Sequence, residues 1–262
     1  MTAADQTSTP DSLSRWLEAL HARHVAPYRP PEFTKALRAL SARYVERRHE
    51  LPERSALDSA GKRSAFAAFY APLHYLTVSE IVAALPERAR RVTAMVDLGC
   101  GTGVGSAAWA NQCERRPVIS GVDLNAWALE EAKWNWQALG LGGRAQRGDM
   151  VAAASSVPSG PAATNALIFA WSINELPREA RTRLLQTLTS ARERRPVLVV
   201  EPLAKGAAPW WNEWTKALAP LGARVDEWKF RVELPPMLKE LSHRAGFQRD
   251  YLGARTIWLS PE

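Results

Sequence analysis

Apolar residues recur along this chain with two different periods, and the change falls near residue 92. Before it, over residues 12–50 and from Ser64 to Leu85, apolar positions return every three or four residues, as on one face of a helix. Phe66, Phe69, Tyr70, Leu73, Leu76 and Ile81 form such a stripe. The run "APYRPPEF" breaks the first helical stretch. Pro30 and Pro31 close one helix, and Pro31-Glu32 can open the next, because proline suits a first helical turn. From Val92 short apolar runs alternate with helical periods. "VTAMVDLG", "PVISGVD", "RAQRGDM", "ALIFAWS" and "PVLVVEP" predict strands. "VGSAAWANQC", "NAWALEEAKWNWQALG" and "PREARTRLLQTLTSAR" predict helices between them. That alternation implies βαβ units and a parallel sheet covered on both faces.

Beyond Glu201 the pattern predicts a Trp-rich helix from Pro209 to Leu218, a strand in "ARVDEWKFRVEL", a helix in "PPMLKELSHRAG" and a strand in "ARTIWLS". These complete a seven-stranded α/β sheet closed by an antiparallel pair. The expected division is a helical segment over 1–90 packed on a core domain over 91–262.

Composition adds exclusions. No apolar run approaches the roughly 20 residues a bilayer span needs. The start, "MTAADQTSTPDS", has neither the basic head nor the apolar core of a signal peptide and reads as a disordered lead-in. Two cysteines, Cys100 and Cys113, are too few for a disulfide framework or a thiolate metal site, and a reducing cytoplasm is expected. The net charge of +7 is spread thinly, with +4 in residues 1–95, +2 in 96–200 and +1 in 201–262. Pairs such as Arg47-Arg48, Arg90-Arg91 and Arg194-Arg195 suit solvated helix ends, where cations complement the dipole, with a polyanion contact as the alternative.

The stretch "VDLGCGTGVG" concentrates the candidate chemistry. Asp97 ends the first strand, and Gly99, Gly101 and Gly103 form the turn into the next helix, where a ligand meets an open parallel sheet. Glycines admit close backbone approach and left-handed dihedrals. An acid at position 97 would repel a pyrophosphate seated on the helix N-terminus. It suits a ligand carrying an ammonium and a sulfonium. Gly105 serves packing of the following helix on the sheet. "VDLGCGTG" resembles the acidic-x-Gly-x-Gly-x-Gly motif of class I S-adenosylmethionine-dependent methyltransferases, whose fold is a Rossmann-like seven-stranded sheet. Three further segments stand in register: "GVDLN" after the second strand, "GDM" after the third and "FAWSINELP" after the fourth.

The resemblance implies S-adenosylmethionine as cofactor. It implies Asp97, Gly99, Cys100, Gly101 and Gly103 at its methionine end, with Asp123 and Leu124 at the ribose. Asp149 and Met150 would lie at the adenine, and Ala170 beside the methyl. Cys100 has no partner histidine to activate it and reads as a small buried residue within that turn. Each acid also has a simpler use as a helix cap.

For the acceptor, Trp171, Asn174 and Glu175 follow the fourth strand. Asn174 can orient an acceptor and Glu175 can take a proton, or the pair can simply start the next helix. His74, a catalytic candidate, and Tyr75 lie on the helix before the first strand and can reach the same mouth; a lone histidine there can also be structural. Trp210 and Trp211, with Trp214, can stack on a flat or cationic acceptor or pack their helix on the sheet.

A narrower resemblance covers residues 40–206. "ARYVERR…LDSAGKRSAFAAFYAPLHYLTVSEIVAAL", "INELPREAR" and "LVVEPLAKG" are similar in order to the ribosomal small-subunit methyltransferase-like family. That family's metal-holding cysteines have no counterpart after Cys113, so no metal is expected. The expected activity is methyl transfer to a small molecule or an RNA base. The alternative is a non-catalytic RNA-binding or ribosome-assembly factor on the same fold. No membrane partner is expected.

Overall fold

In the computed structural model all seven apolar runs expected as strands join a single sheet. The structure describes residues 10–45, 57–156, 165–191, 195–247 and 251–260. The lead-in over 1–9, Arg47, Arg48 and Arg194 lie outside them, as do residues 46–56 of the narrower resemblance.

The strands are β1 (Ala94–Leu98), β2 (Val118–Asp123), β3 (Gly143–Arg147), β4 (Asn165–Ala170), β5 (Val197–Glu201), β6 (Arg224–Phe230) and β7 (Leu252–Leu259). Their order is β3-β2-β1-β4-β5-β7-β6. The first five run parallel, and β7 runs antiparallel to both β5 and β6. This is a Rossmann-like α/β sheet whose order reverses between β1 and β4, so the crevice beyond their carboxyl ends is the natural ligand site. Composition follows position. Every residue of β5 is buried, as a strand covered on both faces demands. Edge strand β3, "GRAQR", is largely exposed and carries two arginines.

The helices are α1 (Pro10–Leu20), α2 (Pro30–Val45), α3 (Ala60–Ala65), α4 (Ala71–Ala84), α5 (Val104–Gln112), α6 (Ala126–Ala138), α7 (Met150–Ser156), α8 (Arg178–Ser190), α9 (Trp211–Leu218) and α10 (Pro236–Ala245). Helix α3 passes through a π turn at Phe66–Tyr70 into α4, so the helix expected from Ser64 begins four residues earlier, where Ser59 caps it. Helix α7 was not expected.

The chain folds as two compact units, Met1–Leu73 with Val232–Asp250, and His74–Arg231 with Tyr251–Glu262. The expected boundary near residue 90 therefore lies inside the second unit, and α10, expected in the core domain, belongs to the helical unit. There α10 buries Leu238 and Leu241 and packs against α2. Arg38 donates to the carbonyls of Arg244 and Ala245 at the end of α10, and Phe69 meets Phe247 with ring centroids 5.7 Å apart. In the sheet unit, one apolar core joins Leu98, Leu167, Phe169, Leu184, Val199 and Trp214.

Candidate functional site

The turn after β1 is built on left-handed backbone. Gly99, Gly101 and Gly103 have φ of 72°, 50° and 73°, values that L side chains adopt with strain. The N–H groups of Gly99 and Cys100 both donate to the Val122 carbonyl, at 2.9 and 3.0 Å, tying the turn to β2. A Cβ on Gly103 would lie 2.8 Å from the Trp136 indole, and one on Gly99 would lie 2.5 Å from Ser172 Cβ and 2.7 Å from Met150 Cε. A Cβ on Gly101 would meet nothing within 4 Å. Gly101 is thus the turn's open position. Gly105 packs as expected, since a Cβ there would lie 3.0 Å from Ala170 Cβ.

Asp97 is 1% exposed. Its Oδ2 accepts from the Ser106 N–H at 3.3 Å, while Oδ1 is buried without a hydrogen-bond partner. Burial raises its carboxyl from the ordinary 3.8 to about 7, against the pull of Ser106 and with a small push from Asp123. Asp123, at the end of β2, accepts from the Gly101 N–H through Oδ2 and from the Asn125 N–H through Oδ1, both at 2.8 Å. Leu124 beside it is 63% exposed. Asp149 follows β3 and accepts from the Ala152 N–H at 2.8 Å, which caps α7. Here the capping use is realised. The Cys100 side chain turns inward, toward Gly121 of β2, and burial holds its thiol well above the ordinary value.

Beyond β4, Trp171 takes φ of 57°, the sole positive φ among the described non-glycine residues. Its N–H donates to Val200 and the next residue's hydroxyl, Ser172 Oγ, donates to Leu98, both at 2.8 Å. Its indole stacks on the His74 imidazole with centroids 3.9 Å apart and planes 13° apart. Asn174 is engaged at both ends of its amide: Nδ2 donates to Glu201 Oε2 at 2.5 Å, and Oδ1 accepts from Trp210 Nε1 at 2.7 Å. The amide expected to orient an acceptor or to start the next helix thus also ties Glu201 to Trp210. Glu175 is exposed, yet the protein atoms crowded round it, and then Asp123, raise its carboxyl to about 7.

Of the two uses expected for the tryptophans, packing is the one realised, and the expectation that Tyr75 meets an acceptor is corrected. Trp210 and Trp211 are buried in the apolar core with Trp214, and Trp211 carries the Arg255 guanidinium 4.4 Å from its ring centroid. Neither offers a face to an acceptor. Tyr75 is buried too, its hydroxyl accepting from Asn111 Nδ2 of α5 at 2.8 Å.

Glu201 escaped the sequence reading. It ends β5 fully buried, opposite Arg255 of β7, and burial raises its carboxyl to about 8 although the backbone of Asn174 and the Arg255 charge oppose the rise. The available signal was an acid closing the apolar run "VLVV". Among the described residues, no group of three or more His, Cys, Asp or Glu could hold a metal ion. No described helix is long and apolar enough to cross a membrane.

Residues 95–192, which include all but the first residue of β1, the glycine turn, Asp123, Asp149 and the segment after β4, match the family model described as a methyltransferase domain. Solved structures similar to the chain include YcgJ from Bacillus subtilis (14% identity, covering 72% of this chain and 100% of that one, TM-score 0.45). The methyltransferase domain of bacterial CtHen1-C has 14% identity, covers 72% and 100%, and scores 0.47. Precorrin-6y C5,15-methyltransferase from Geobacter metallireducens has 11% identity, covers 72% and 87%, and scores 0.45. Among curated proteins, none matches the chain.

Proposed function

We propose that the chain transfers a methyl group from S-adenosylmethionine to an acceptor, a small molecule or an RNA base, held beyond β4. The observation that carries this reading is the buried Asp97 carboxyl with Oδ1 unpartnered, beside a turn whose open glycine leaves room for a ligand. A buried polar atom without a partner costs about 1–3 kcal/mol, which a ligand cation would recover. The residues present fit the cofactor. Asp97 would take its ammonium, and Gly99 and Gly101 would admit its methionine end. Asp123 keeps acceptor capacity for ribose hydroxyls, since each carboxylate oxygen has a second lone pair. Exposed Leu124 offers an apolar flank for the base, with Asp149, Met150 and Ala170 round the remainder.

When bound, the cofactor supplies a methyl carbon already activated by its sulfonium. What remains for the protein is alignment in a water-poor mouth and, for an acceptor that must lose a proton, a base. Glu175 suits that role, because a carboxyl raised to about 7 exchanges protons near neutrality.

Calorimetry with S-adenosylmethionine and S-adenosylhomocysteine tests the reading: both are expected to bind, and binding by neither would end it. Asp123→Ala should weaken binding by about 1–3 kcal/mol through lost charge-assisted hydrogen bonds. Unchanged affinity would remove Asp123 from the site.

A further inference from the structure

We propose that the acceptor is a planar nitrogen heteroaromatic that stacks on the Trp171 indole in the place the His74 imidazole now holds. This rests on the methyl-transfer reading above and narrows its acceptor. Three observations converge on Trp171. A bulky residue at φ 57° is an outlier, and such backbone persists only where the surroundings over-determine it, which happens most at ligand sites. Here the Trp171 N–H is bonded to β5, and the hydroxyl of adjacent Ser172 to the end of β1. Next, Ser172 crowds Gly99 of the cofactor turn, so the strained residue adjoins the methyl-donating end of the site. Last, the indole is already covered face to face by a nitrogen heteroaromatic, 3.9 Å away and nearly parallel.

The other tryptophans expected to serve as platforms, Trp210 and Trp211, are buried. Trp171 remains as the stacking surface of this mouth, and what fits on it is a flat ring with nitrogen at its edge. An aliphatic amine would forfeit the stack. In the transfer the ring nitrogen's lone pair forms the new N–C bond. The carbon–sulfur bond breaks with its electron pair left on sulfur, and the proton lost from the ring passes to the Glu175 carboxylate. The same ring chemistry occurs in a free metabolite and in an RNA base.

The test uses the whole chain saturated with S-adenosylhomocysteine, so that the adenine position is filled. Benzimidazole and cyclohexylamine are titrated by calorimetry. Benzimidazole is expected to bind about tenfold or more tighter, the scale of one aromatic stack. Trp171→Leu should erase that advantage while S-adenosylhomocysteine still binds. His74→Ala, which uncovers the indole, should strengthen benzimidazole binding several-fold. Equal binding of the two probes, or an advantage that survives Trp171→Leu, overturns the proposal. Should the leucine variant fail to fold, unchanged or weaker benzimidazole binding in His74→Ala overturns it instead. Displacement of benzimidazole by a short single-stranded oligoadenylate, lost as salt rises, supports it with an RNA base as the source. Benzimidazole that the oligonucleotide does not displace supports it with a free heteroaromatic. If S-adenosylhomocysteine itself fails to bind the wild type, the methyl-transfer reading falls, whereas its binding without probe preference removes only this inference.

Discussion

Asp97 and Glu201 are both raised toward neutrality, and in each case burial is the first cause. A carboxyl raised in the folded state binds more protons there than in the unfolded chain. Stability contributed by that proton is present at acid pH and is lost as pH rises through the interval between the two values. For Glu201 the interval runs from 4.5 to about 8. Glu201→Gln keeps an oxygen for the Asn174 amide and has no proton to lose. The variant should therefore match the wild type near pH 4 and become more stable by up to about 4–5 kcal/mol near pH 9. Thermal unfolding across that range decides it; a variant less stable at pH 9 would mean that ionised Glu201 holds Arg255 usefully. Nothing in the sequence pairs Glu201 with Asn174 and Trp210, because the three lie 27 and 36 residues apart and meet only once β5 and α9 flank the turn after β4.

Among elements, the glycine turn divides between two employers. Gly101 faces open space, whereas Gly103 is filled by Trp136, whose Nε1 also donates to the Gly103 carbonyl at 2.8 Å. Gly121 and Gly143 make room for the same indole. Gly103→Ala should cost about 2–4 kcal/mol, from overpacking added to left-handed strain. Gly101→Ala should cost only about 1–2 kcal/mol of stability, the strain alone, yet should weaken cofactor binding. Urea unfolding and calorimetry separate the two, and equal stability losses would contradict the division.

The motif was legible as a turn, but periodicity cannot say that a tryptophan 33 residues on is what one glycine accommodates. Strands β4 and β5 were legible because buried parallel strands are apolar throughout. Helix α7 was not, since "MVAAASS" has no polar–apolar contrast. The sequence left both uses of Trp210 and Trp211 open for a related reason: two large neighbours on a short helix do not reveal which of its sides meets the sheet.

At the scale of the molecule, stability is expected to be graded across the sheet. Strands β4 and β5 are buried and flanked on both sides, whereas β3 and β6 are edges with one neighbour each. Amide hydrogen exchange should be slowest over Asn165–Ala170 and Val197–Glu201 and fastest over Gly143–Arg147 and Arg224–Phe230, because local opening follows burial and pairing. Uniform protection of all seven strands would contradict this. Exposed ion pairs such as Lys133–Glu130 and Lys239–Glu233 add little.

The strand order also sets a timetable for a chain made from its N-terminus. β6 pairs with β7 and with no other described strand, and β7 sits between β5 and β6. While the ribosome is still adding residues 231–251, β6 has no neighbour to bond to and the edge of β5 stands open. β1 to β5 can assemble in the order they emerge. The sheet is completed only when Leu252–Leu259 arrives, in one event that covers β5 and recruits β6 together. Until then β5, every residue of which is buried in the finished sheet, keeps one edge unpaired, and such an open edge invites pairing with other chains.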